Sequence, residues 1–207
     1  MKTDPFEQAK LAGTVSFVSL VTWAFETSER KLAEALPRRW AHVQGVYRTA
    51  KTLRPIVDYD ADLLEAAAIL HDVGYAPDLA ATEFHPLDGA NYLDRVGASP
   101  RLVHLVAHHS YAALEAQLRG LGEQLTDFDD EGGVVRDALW YCDQTTSPDG
   151  YAVSARERMA EIRYRYGLKH LVTRFITEAE TELLAAVDRT EERLQVATSS
   201  RTARQGR

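Results

Sequence analysis

Apolar residues recur along almost the whole chain at the spacing of an α-helix, and the alternating pattern of a half-buried strand is nearly missing. That periodicity leaves one family of architectures open, helices packed on helices around a shared core. The chain is therefore read as all-α, a single helical bundle. In "TSERKLAEALPRRWAHVQGVYRTAKTL" the spacing predicts a helix to Leu36 and a break at Pro37. A second helix comes after it, with His42, Val46 and Thr49 or Ala50 on one stripe. "DYDADLLEAAAILHD" carries Leu64, Ala67 or Ala68, and His71 on one face, with Asp60 or Asp62 as a cap and Gly74 and Pro77 as the stop. Pro86 sits in a first turn directly after His85, and Gly97 ends that segment. "SPRLVHLVAHHSYAALEAQLRGL" reads as one helix opened by Ser-Pro, with His104 and His108 four residues apart. "TDFDDEGG" reads as a solvated loop, and "VVRDALWYCDQ" as a helix closed by the turn residues "TTSPDG". Ser154 and Glu157 have capping-box spacing before the next helix. A last helix spans about Lys169 to Val196, carrying Leu171, Phe175, Leu183, Leu184, Val187 and Leu194.

The expected division is an N-terminal packing segment (1–30), the helical domain with its C-terminal helices (31–195) and a disordered tail (196–207) that has nothing apolar to bury. The apolar stretch Val15 to Phe25 is interrupted by Ser16, Ser19 and Thr22 and is too short to span a bilayer, so it is read as packing on the domain. One cysteine, Cys142, excludes an internal disulfide framework and a multi-cysteine zinc site, and a cytoplasmic location is expected. A formal charge of −7 argues against nucleic-acid partners, which require clustered Lys and Arg. It leaves room for a small anionic substrate at a local cationic or metal site. No membrane partner is expected, and the sequence implies no particular oligomeric state.

His42, the doublet His71-Asp72, His85, the pair His108-His109 and Asp143 are side chains able to ligate a metal. Taken singly, each has an ordinary reading as a satisfied core imidazole or a helix-end carboxylate. Their order in an all-helical chain is more specific, because facing helices can bring imidazoles and carboxylates to one point. An apolar helix that ends on His71 and Asp72 either leaves the pair in solvent, which needs no function, or turns it inward, where its desolvation must be offset by partners or an ion.

That order, His42, then His71-Asp72, then Asp143, resembles the HD-domain superfamily of metal-dependent phosphohydrolases, from about Leu32 to Gln144. "AHVQGVYRTA" looks like the family's first ligand helix and "LLEAAAILHDVG" like its signature helix. His85 in "FHPLDGAN" and the pair in "VAHHS" are similar to the extra histidines of binuclear members, including HD-type dinucleoside tetraphosphate hydrolases and cyclic-dinucleotide phosphodiesterases. The resemblance implies one metal held by His42, His71, Asp72 and Asp143. It implies a second held by Asp72 as a bridge with His85 and His108, and it makes Asp72 the catalytically central residue. Two divalent ions, iron, manganese or another first-row metal, are the implied cofactors. His108 shares a helix face with His104, while His109 is rotated by about 100°; it is the resemblance to the single histidine of the tetraphosphate hydrolases that favours His108. His109 then becomes a substrate or third-metal contact.

Where many binuclear members carry a lysine three residues after the doublet, this chain has Tyr75, which either stacks on a substrate base or packs as a helix-end aromatic. Arg101 and Arg163, with Arg165 and Lys169, are candidates to supply the missing cation. His170 is read as structural, and Cys142 as an inert core thiol. The implied activity is metal-dependent hydrolysis of a phosphate ester or anhydride, with a small nucleotide as substrate. A binuclear-iron HD-type oxygenase and a non-catalytic metal-binding regulatory protein are the alternatives.

Overall fold

The computed structural model describes residues 19–205, with side-chain surroundings for residues 19–200. Helices α1 (Leu20–Leu32), α2 (Pro37–Thr52), α3 (Arg54–Val57) and α4 (Ala61–Leu70) form the first half of the bundle. Next come α5 (His85–Arg95), α6 (Pro100–Ala107), α7 (Ala112–Arg119) and α8 (Gly122–Leu125). Last are α9 (Gly133–Gln144), α10 (Ala155–Tyr166) and α11 (Leu171–Gln205). Among the described residues there is no strand, only an isolated antiparallel bridge between Thr146 and Ala152.

Helix α4 is the axis of the bundle. From Leu64 to Leu70 every residue is buried, so the one-faced stripe expected from spacing is replaced by a helix covered on all sides. The run Ala66, Ala67, Ala68 makes this possible, because small side chains let α1, α2 and α6 approach closely. Even Glu65 is buried, and Arg54 pairs with it from outside. A helix so enclosed carries the residues after its last turn, His71 and Asp72, into the interior.

Local signals set most boundaries. Ser19 Oγ accepts the Thr22 N–H at 3.2 Å and opens α1; residues 1–18, including the start of the apolar stretch, lie outside the described residues. Pro37, Pro86 and Pro100 all sit in first turns. The box of Ser154 and Glu157 closes in both directions at α10. Helix α1 stops at Leu32 instead of reaching Leu36, since a residue before proline is driven out of helical geometry and Leu36 is at φ −138°, ψ 63°.

Two departures matter more. The segment expected as one helix from Ser99 to Leu121 breaks after Ala107, with Ser110 (φ 49°) and Tyr111 (φ 61°) in the left-handed region before α7 begins. In addition, α11 stays helical through Gln205, across the stretch expected to be disordered. Its buried side chains end with Thr190, Leu194 still packs at the edge of the core, and Val196 is 67% exposed. The earlier part of α11 packs with α10 on α9 through Met159, Phe175, Ile176 and Leu183 around Trp140. No helix of the described residues is long and apolar enough to cross a membrane.

Candidate metal centre

Five elements deliver the site. His42 lies in α2, His71 caps the C-terminus of α4 with Asp72 beside it, and His85 is the first residue of α5. His109 opens the turn after α6, and Asp143 lies in the last turn of α9. His42, His71, Asp72, His109 and Asp143 are all buried.

Two donor triads result, His42 with His71 and Asp72, and Asp72 with His85 and His109, each with its ligand atoms within 4.8 Å of one another. Asp72 belongs to both because its two oxygens face opposite ways. Oδ2 lies 3.3 Å from His71 Nε2 and 3.8 Å from His42 Nε2, while Oδ1 lies 3.2 Å from His85 Nε2. Asp143 Oδ1 extends the first triad, at 3.0 Å from His42 Nε2 and 3.9 Å from His71 Nε2.

The backbone fixes which ring nitrogen faces inward. His42 Nδ1 donates to Ser147 O at 2.9 Å, His71 Nδ1 to Ala68 O at 2.8 Å and His109 Nδ1 to Val106 O at 2.6 Å. A carbonyl can only accept, so each Nδ1 carries the proton and each Nε2 is turned to the cluster, as metal-binding imidazoles are held. The Ser147 carbonyl arrives because the "SPDG" turn lies directly on α2. Gly150 has φ +80°, and a Cβ there would stand 2.2 Å from Ala41 O. What reads in sequence as a turn is also the anchor of a ligand.

Burial pushes the Asp72 carboxyl up, but the charges of Arg39 and His71, with the imidazoles of His71 and His85 close beside it, outweigh it and hold the group well below the usual carboxylate range. Asp143 is treated likewise, its burial overcome by the His42 hydrogen bond and the charges of His71, His42 and Arg158. His71 loses basicity to burial and gains more from Asp72 and Asp143, so its pKa is raised. His109, buried and facing His85 and His71, is pushed down to about 3. Thus two carboxylates are kept ionised and His109 is kept neutral, the states in which they ligate a cation.

The donors fit such an ion. His71 Nε2 is buried without a hydrogen-bond partner, 3.3 Å from an Asp72 oxygen to which it is not aligned. His85 Nε2 and His109 Nε2 are 3.0 Å apart, about the separation of two nitrogens sharing one ion at roughly 2.0–2.1 Å.

Residues 39–138 match the HD domain family. The chain carries an HD domain. Searches of curated proteins and of solved structures gave no match. HD domains are in general metal-dependent hydrolases, and the matched segment holds both triads, while Asp143 and the helices after it lie beyond it.

Within this HD domain the structure redirects several expectations. His109, not His108, joins the second triad. The resemblance favoured His108, but α6 ends at Ala107 and leaves His108 as its cap, with Nε2 2.6 Å from Phe128 O and its own carbonyl accepting from Trp140 Nε1 at 2.9 Å. The loop "TDFDDEGG" is therefore anchored at Phe128 and not simply solvated. Arg101 binds Asp60 and Glu131 on an exposed face, and Arg163 pairs with Glu180; neither lines the cavity at the cluster.

Tyr75 does line it, stacked on His85 with centroids 3.9 Å apart. The Arg39 guanidinium lies 4.0 Å from the centre of the Tyr75 ring, and Nη1 reaches Asp72 Oδ2 at 2.7 Å. Burial raises the Tyr75 phenol, which stays protonated. Arg39 thus brings positive charge to the doublet that the missing lysine does not. Sequence reasoning passed over it, although its place three residues before His42 on the same helix was a usable signal. Ser110 and Gln144 were also missed; Ser110 Oγ and Gln144 Nε2 both donate to Asp143 Oδ2, the latter at 3.2 Å.

A cavity of about 250 Å³ opens beside the cluster. Asp72, His85, His109 and Asp143 form one side. Side chains of α10 and α11, including Arg158, Arg165 and Tyr166, form the other, and His170, expected to be structural, lies in the same wall.

Proposed function

We propose that this protein is a metal-dependent phosphohydrolase that cleaves a phosphate ester or anhydride of a small nucleotide or similar anion, holding two divalent ions through His42, His71, Asp72, His85, His109 and Asp143. The observation that carries the reading is the division of Asp72 between two donor triads at the floor of a cavity also lined by arginines. When bound, such an ion pair polarises a phosphoryl oxygen and lowers the pKa of the attacking water toward about 7. The chain's own groups do the rest.

Asp72 sets the spacing of the two triads, and Arg39 on Oδ2 stops that carboxylate from swinging towards one of them. Ser110 and Gln144 hold Asp143 by Oδ2 and leave Oδ1 facing His42. Tyr75, stacked on His85, covers that ring and presents a neutral wall to the cavity. Cys142 is buried and its thiol is pushed well up by burial and by Asp143, so it offers no nucleophile.

The test is reconstitution under nitrogen with manganese or iron, followed by phosphate release from mononucleotides, dinucleoside polyphosphates and simple phosphate esters, with and without oxygen. Metal-dependent cleavage that is equal in both atmospheres supports the proposal. Turnover that requires O2 and leaves the phosphate bond intact would replace it with the oxygenase reading, and full metal occupancy with no turnover on any class would favour a binding protein.

A further inference from the structure

The cavity wall outside the matched family segment carries an imbalance of charge. Of the arginines that line the cavity, Arg39 is bound to Asp72 and Arg119 is bound through two nitrogens to Glu115. Each has a carboxylate of its own. Arg158 and Arg165 share one: Arg158 Nη1 is 2.6 Å from Glu161 Oε2, and Arg165 Nε is 3.3 Å from Glu161 Oε1. All three lie on α10, at positions that stack on one face of the helix. Arg158 is only 5% exposed, and its Nε has no acceptor. A buried guanidinium with an unused donor and half a counter-charge is costly unless an anion completes it. Its charge is also felt at Asp143, so an anion lying against the metal cluster is within its field.

The remainder of that wall is apolar. Ile162, Phe175 and Ile176 are buried residues of the second core that also surface in the cavity, and the Tyr166 ring stands beside them. A volume of about 250 Å³ lies just below the range of about 300–1,000 Å³ common for ligand sites.

Resting on the hydrolase reading, we propose that Arg158 and Arg165, left with the single carboxylate of Glu161 between them, form an anion clamp that receives the phosphoryl group of a compact phosphate monoester, whose flat or apolar body seats on Ile162, Phe175 and Tyr166. The clamp takes the place of the phosphate-binding lysine that Tyr75 has displaced.

The experiment measures inorganic phosphate binding by calorimetry on the manganese-loaded full chain. Arg158→Gln should weaken binding by roughly 10-fold or more, the loss expected for one charge-assisted hydrogen bond of about 1.5–3 kcal/mol. Arg165→Gln should weaken it less, because that side chain is 31% exposed. Glu161→Gln should tighten binding several-fold, because it frees both guanidinium groups; a merely structural role for Glu161 predicts no gain. If Arg158→Gln fails to fold, Arg158→Lys and Glu161→Gln carry the test by themselves. Unchanged phosphate affinity in folded Arg158 and Arg165 variants, or weaker binding in Glu161→Gln, overturns the clamp. Phosphate affinity that depends on the clamp while no phosphate compound is cleaved upholds the clamp and removes the hydrolase reading. Cleavage that continues unaltered in Arg158→Gln with unchanged phosphate affinity does the reverse.

Discussion

Replacing Gly74 with alanine tests whether the second triad depends on one close backbone approach. Gly74 lies in the Val73–Tyr75 turn directly after Asp72. A Cβ built there stands 2.1 Å from His85 O and 2.5 Å from Gly89 N, where ordinary contact begins at 3.4 Å. The obstructing atoms are backbone and cannot rotate away, so the start of α5 would have to retreat by about 1.3 Å, the difference between those two distances. That displacement falls on His85, whose Nε2 must stay 3.2 Å from Asp72 and 3.0 Å from His109. Overpacking of a tight core costs roughly 1–3 kcal/mol, and with both neighbours rigid we expect about 3 kcal/mol. In a domain of this size that lowers Tm by about 6–12 °C. A misplacement of ~1 Å also suffices to cut turnover by about 10²-fold. Thermal melts and anaerobic metal analysis are read together, with Gly97→Ala as the control. Gly97 has φ +78° but nothing within 4 Å, so it should lose about 1–2 kcal/mol by backbone strain and keep its metal. A Gly74→Ala protein that melts like wild type and binds two ions would refute the argument.

Exchanging the adjacent histidines should separate ligation from folding: His109→Ala lowers metal occupancy, whereas His108→Ala keeps it and loosens the loop held at Phe128, which hydrogen exchange will register. The reverse pattern would restore His108 as the ligand. Arg39→Gln removes a partner from the buried Asp72 and should destabilise the metal-free chain by about 3 kcal/mol, and the metal-loaded chain by clearly less, because bound ions compensate the carboxylate. Equal losses in the two states would count against Asp72 as a bridge. Arg101→Ala breaks only exposed pairs and should change stability by less than about 1 kcal/mol, with no effect on phosphate affinity. In the metal-free chain His109 is lowered to about 3, so the unfolded state takes up a proton near pH 6.5 that the folded state refuses until about 3. Its contribution is complete above pH 6.5 and is lost as pH falls through that window. His71, raised, works in the opposite sense, contributing below pH 6.5 and losing its effect as pH rises through its elevated value. NMR at pH 5 should find His71 protonated and His109 neutral; His109 titrating near 6.5 would show that it is not buried in the cluster.

The amino-acid order determined unaided those features that depend on near neighbours. Helix starts at Pro37, Pro86 and Pro100 and the capping box of Ser154 with Glu157 are short-range effects, and each is found where the sequence puts it. The doublet at the end of α4 was legible in part: the spacing put His71 on the apolar stripe, while enclosure of the whole helix came from α1, α2 and α6 packing around it. His109 was not legible as a ligand. Its selection over His108 rests on two left-handed residues, Ser110 and Tyr111, that no local propensity demands and that the Asp143 and Trp140 contacts of this turn hold in place. Nor was Arg39 read as the partner of Asp72, or Gly74 as more than a helix stop, because each role needs an atom from a distant part of the chain. The cavity wall is the extreme case: Arg158 and Phe175 meet the cluster only because α10 and α11 fold back over α9, and contacts made across such separations are decided by packing of the whole bundle.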